Sequence, residues 1–125
     1  MDFLKMLGNW KDVDEYPAET VIFQEGHPVD FLYVIISGRI NLTLRGESLG
    51  NEEVGGIIGE MAIFQSSTRS TTAISTTDVK LARLNRKQVT ELMSESTEFS
   101  LHVMAVLANR LRALNRYITD QLGPV

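Results

Sequence analysis

Seven of the nine glycines in this chain fall between Gly26 and Gly59, and that spacing marks the stretch from Thr20 to Leu84 as short β-type runs punctuated by turns. Glycine is the residue that accepts the positive-φ backbone of tight turns, and in a helix interior it costs about 1 kcal/mol relative to alanine. The segments between the glycines read as short strands. Thr20-Val21-Ile22-Phe23 leads into Glu25-Gly26-His27-Pro28, where glycine and proline together mark a turn. Phe31 to Ile36 is an unbroken apolar run closed by Ser37-Gly38, as expected of a strand buried on both faces. Ile40, Leu42 and Leu44 alternate with Arg39, Asn41, Thr43 and Arg45, and Val79 and Leu81 alternate with Asp78 and Lys80, the period of a strand with one wet face. Short strands at this spacing favour a sandwich or barrel.

After Leu84 the period becomes helical. Asn85 is placed to cap a helix with Gln88 three residues on, and Val89, Leu92 and Met93 form its apolar face. A longer helix follows, with Met104, Leu107, Leu111, Leu114 and Ile118 at intervals of three and four, until Gly123-Pro124 stops it. That stripe serves either the domain's own core or a helix-to-helix dimer seam. Phe3, Leu4, Met6 and Leu7 suggest a further short helix over Asp2 to Trp10. The expected organisation is one mainly β domain with flanking helices spanning 1–125, its β-roll at about 18–84 and its C-terminal helices at about 85–122.

Composition narrows the function. With 43% hydrophobic residues, 125 residues can fill one core without metals or bridges, and the absence of cysteine removes disulfides and thiolate zinc sites. A reducing cytoplasm is the expected compartment. The apolar clusters of Met1 to Trp10 are broken by Asp2, Lys5, Gly8 and Asn9, unlike a signal peptide, and no membrane association is expected. A formal net charge of −4 argues against direct contact with nucleic acid.

The chemistry concentrates in Gly55-Gly56-Ile57-Ile58-Gly59-Glu60-Met61-Ala62-Ile63-Phe64-Gln65-Ser66-Ser67-Thr68-Arg69-Ser70. Glu60 to Gln65 is long enough for about one and a half helical turns, whose free N–H groups form an anion site. Arg69 lies just beyond it, where a guanidinium offers an anion two parallel hydrogen bonds, and Ser70 adds a hydroxyl. A carboxylate beside a phosphate is repulsive unless it has another partner. Accepting a hydrogen bond from a sugar hydroxyl gives Glu60 one, and a sugar phosphate satisfies both halves.

Gly-Glu-Met-Ala-Ile followed nine positions on by Arg-Ser-Thr resembles the phosphate-binding cassette of the cyclic-nucleotide-binding domain family. Ile22 to Gly26 and Leu32 to Ile40 are similar to that family's first strands. The resemblance implies an eight-stranded β jelly-roll with a short N-terminal helix and a long C-terminal helix. It implies no cofactor, and a ligand that is cAMP or possibly cGMP. Glu60 would hold the ribose 2′-hydroxyl, Arg69 the cyclic phosphate and Ser70 the phosphate or the base edge, with backbone groups of Gly59, Met61 and Ala62 completing the cradle. Register matching through Ala108-Asn109-Arg110-Leu111 places Asn115 near the base, where its amide suits the adenine edge.

Ser70 does not choose between adenine and guanine. Many bacterial members continue from the long helix into a DNA-binding domain, so no DNA reader is expected within these 125 residues. Two readings follow. One is a non-enzymatic cAMP sensor that couples binding to its long helix and forms a homodimer through it. The other is the same fold without nucleotide binding, acting as a dimerisation or docking module. Catalysis is not expected, because no nucleophile sits beside a recognisable base. His27 and His102 read as structural or solvent-facing, and Arg110, Arg112 and Arg116 as a solvated helix face.

Overall fold

In the computed structural model, residues 5, 7–28, 31–60 and 71–122 are described, and the account below concerns these. Eight strands among them, β1 (Val13–Tyr16), β2 (Val21–Phe23), β3 (Leu32–Ser37), β4 (Ile40–Leu44), β5 (Glu47–Glu52), β6 (Ile57–Ile58), β7 (Thr72–Ser75) and β8 (Val79–Leu84), precede two helices, α1 (Arg86–Glu95) and α2 (Thr97–Leu122). The strands pair antiparallel in two four-stranded sheets, ordered β1-β8-β3-β6 and β2-β7-β4-β5. This is the jelly-roll arrangement the sequence led us to expect.

The unbroken apolar run explains the layering. In β3, Leu32 and Val34 face one way and join Ala82, Leu84, Val89, Leu92, Phe99, Val103 and Val106 in a core beneath the helices. Tyr33 and Ile35 face the other way and pack with Ile40, Leu42, Ile58, Ala73, Val79 and Leu81 between the sheets. A strand serving two cores has no wet face, and each large aliphatic side chain it buries contributes about 1.5–3 kcal/mol. In β4, Ile40 and Leu42 are buried while Asn41 is only partly so, as the alternation requires.

Two strands carry little apolar signal. Val13-Asp14-Glu15-Tyr16 forms the edge strand β1 along β8, ahead of the expected start of the roll, and Arg83 of β8 donates to Asp14 across it at 2.8 Å. Strand β5 is joined to β4 by Arg45-Gly46, whose φ values of 51° and 81° suit a type I′ hairpin turn. Gly38 closes the β3–β4 corner, where an added Cβ would stand 2.3 Å from the Asp78 carbonyl oxygen.

The α1 start is the predicted capping box: the Gln88 N–H donates to Asn85 Oδ1 at 2.8 Å, and the Asn85 N–H donates back to Gln88 Oε1 at 2.9 Å. Residues 2–4 and 6 of the expected N-terminal helix lie outside the described residues, and Gly8 and Asn9 form a turn, so no N-terminal helix is seen among the described residues. Lys5 and Leu7 have helical backbone, Leu7 is buried under the helices, and the Trp10 indole N–H donates to the Arg83 carbonyl at 3.0 Å.

Candidate functional site

The β5–β6 turn is held from two sides. Gly55 N–H donates to the Ile35 carbonyl and Ile35 N–H to the Gly56 carbonyl, both at 2.9 Å, so the turn continues the β3 pairing. From α2, His102 Nε2 meets the Gly55 carbonyl, an acceptor to which it must donate, which gives His102 a structural role. The turn thereby aims β6, Gly59 and Glu60 at α2.

Gly59 has a φ of 84°, a conformation suited to glycine, and turns the chain out of β6. Glu60 follows with only 2% of its surface exposed. A carboxylate this deep needs a charged partner. Arg110 supplies it: its Nε–H donates to Glu60 Oε1 at 2.8 Å, one terminal nitrogen to Glu52 Oε1 at 2.9 Å, and the other to the Ile57 carbonyl at 3.0 Å. Burial of Arg110 works against its charge, but the attraction of Glu60 and then of Glu52, with their hydrogen bonds, overrides it and raises its pKa above the ordinary arginine value. The guanidinium therefore stays charged.

This corrects the reading of Arg110 as part of a solvated helix face: it is 5% exposed and joins the helix to the β-roll. The signal was present in the spacing. Arg110 follows Phe99, Val103 and Val106 and precedes Ala113 at steps of three and four, all of them buried. Glu52 was also missed. It is the strand partner of Ile40, whose side chain is fully buried, so Glu52 shares an inward face.

Of the other expected ligand-holding residues, Met61, Ala62, Arg69 and Ser70 lie outside the described residues. Asn115 is exposed and shares the outward face of α2 with Leu111 and Ile118. The cleft of about 140 Å³ between α2 and β5 is lined instead by Ser48, Leu49, Ala113, Arg116 and Tyr117, among others. Within one chain, then, the structure brings Gly59 and Glu60 together with Arg110 and Glu52, but not with Asn115. No helix among the described residues is long and apolar enough to cross a membrane.

Residues 13–96 match the family described as "Cyclic nucleotide-binding domain". The CRP-like cAMP-activated global transcriptional regulator of Mycobacterium tuberculosis is 30% identical over 112 residues, which cover 85% of this chain and 50% of the regulator. A cGMP-dependent protein kinase of Caenorhabditis elegans is 37% identical over 93 residues, 68% of this chain and 12% of the kinase. The chain therefore spans half or less of the length of these relatives. Among solved structures, the Thermus thermophilus catabolite activator protein superposes with a TM-score of 0.72 at 28% identity, over 93% of this chain and 56% of that one. The c-di-GMP responsive global regulator CLP of Xanthomonas campestris superposes with a TM-score of 0.80 over 94% of this chain and 61% of that one, and at 23% identity this likeness concerns the fold alone.

Proposed function

The chain belongs to the cyclic nucleotide-binding domain family, and on that premise we propose that it is a non-catalytic sensor for a cyclic nucleotide, cAMP in preference to cGMP, that reports occupancy through α2. The carrying observation is the buried Glu60 carboxylate held by Arg110 of α2, because the proposed ribose-binding group is at once an anchor of the helix. Arg69 and Ser70 would take the cyclic phosphate, and the backbone of Gly59, Met61 and Ala62 would close the cradle. The preference for adenine rests on Asn115. Since Asn115 faces outward, this contact requires a second copy laid along that face, where Met104, Leu111 and Ile118 are exposed. We therefore read the sensor as a homodimer through α2.

The names of the relatives do not choose the base, one being cAMP-activated and another cGMP-dependent. The same exposed row also suits the second reading, a dimerisation or docking module that binds no nucleotide. Calorimetric titration with cAMP, cGMP, AMP and 2′-deoxy-cAMP decides between them. The sensor binds cAMP most tightly, loses affinity for the 2′-deoxy analogue and ignores AMP. If none of the four binds, the docking reading replaces it.

A further inference from the structure

Strand alternation makes the Glu52 position an interior one. Its strand partner Ile40 is fully buried, Leu42 faces the same core, and the Glu52 side chain is only 25% exposed. The surroundings are shaped for an acid there. Arg110 donates to Glu52 Oε1 at 2.9 Å, and an added Cβ at Gly56 would stand 2.9 Å from Glu52 Oε2, so glycine leaves that oxygen its place. Arg110 carries one positive charge and is shared with Glu60. Two carboxylates on one guanidinium leave a surplus negative charge.

We propose that Glu52 is an affinity-setting residue that weakens the binding of an anionic nucleotide at Glu60. This rests on the reading that Glu60 holds the ribose 2′-hydroxyl. In a 3′,5′-cyclic nucleotide the neighbouring ribose carbon carries a phosphate oxygen, so a hydroxyl at Glu60 brings the phosphate close behind it. Glu52 and Glu60 share one guanidinium and stand well within the screening length of about 8 Å at physiological ionic strength. In a partly buried setting, with an effective dielectric constant of about 20, a unit charge at such range alters anion affinity severalfold. Glu60 is the proposed hydroxyl acceptor, which makes Glu52 the removable half. Its consequence is a site that responds only to higher nucleotide concentrations and releases its ligand faster.

The test is calorimetric titration of cAMP into the wild type, Glu52→Gln, Glu52→Met and the control Glu53→Gln, with thermal unfolding used to confirm that each is folded. Glutamine keeps an acceptor for Arg110, and methionine covers the case in which glutamine fails to fold. Glu53 is an exposed neighbour paired with Arg39 at 2.8 Å, so its substitution removes the same charge outside the cluster. Either neutral Glu52 variant should bind cAMP about three- to tenfold tighter at about 0.01 M ionic strength, and the gain should shrink only in part at about 1 M, because partly buried charges are screened less than exposed ones. Glu53→Gln should change affinity by less than about twofold. Unchanged or weaker binding in both folded Glu52 variants, beside a wild type that binds, overturns the proposal and leaves the Glu60 reading standing. Absence of cAMP binding in every protein overturns both.

Discussion

The two halves of α2 are attached to the domain in different ways. Before Arg110 the helix is fastened by apolar burial: Phe99 and Val103 are at most 2% exposed, Val106 is nearly as deep, and all three pack on β3, β8 and α1. After Ala113 no residue up to Leu122 is buried, and Ile118 and Leu122 stand open to solvent. Arg110 lies at the boundary, and its attachment is ionic. Apolar packing of this kind is indifferent to a ligand some distance away. An ion pair that shares Glu60 with a ligand would not be, so on the proposed reading α2 has a fixed half and a half whose position depends on what Glu60 is doing.

Mutation should separate the two. The largest effect is expected on the fixed side, where Phe99→Ala removes a fully buried ring and should lower unfolding free energy by about 3–5 kcal/mol in urea titration. A loss below about 1 kcal/mol would mean that α2 is not held by its first half. Arg110→Met should cost about 3 kcal/mol, since it strands Glu60 beside Glu52 without their cation. Unlike Phe99→Ala, it should also alter cAMP affinity beyond what stability explains, and equal affinity at saturating folded fraction would detach Arg110 from the site. The smallest effect belongs to the free side. Leu111→Glu, at a position 60% exposed, should change monomer stability by less than about 0.5 kcal/mol while shifting light scattering from dimer to monomer. Retention of the dimer would remove the outward row as the seam.

The sequence makes β3, β4 and the capped start of α1 legible because each obeys a single local rule: an unbroken run, an alternation, a reciprocal cap. Strands β1 and β5 escape because Asp14, Glu15, Glu47 and Asn51 leave them no apolar period, and their pairing comes from neighbours distant in sequence. The long helix was legible as a helix but not in its orientation. It carries two apolar rows, one through Phe99, Val103 and Val106 and another through Met104, Leu111 and Ile118, and periodicity alone does not say which of them meets the sheet. Reading the second row as the stripe put Arg110 in water. In the candidate site, Glu60 is legible from its motif and the burial of Arg110 from its spacing with Phe99, Val103 and Val106, whereas Glu52 and the ion pairs of Arg110 become visible only when the fold lays α2 across the β5–β6 turn.

Amide hydrogen exchange along α2, with and without saturating cAMP, asks directly whether the ionic boundary at Arg110 divides a fixed segment from a responsive one. Exchange across 97–107 should be slow in both states, and exchange across 111–122 should slow on adding cAMP by a clearly larger factor than in β1, which lies at the opposite edge of its sheet from β6. Equal protection of 111–122 in the two states, in a protein that calorimetry shows to be saturated, would contradict a helix whose second half answers to Glu60.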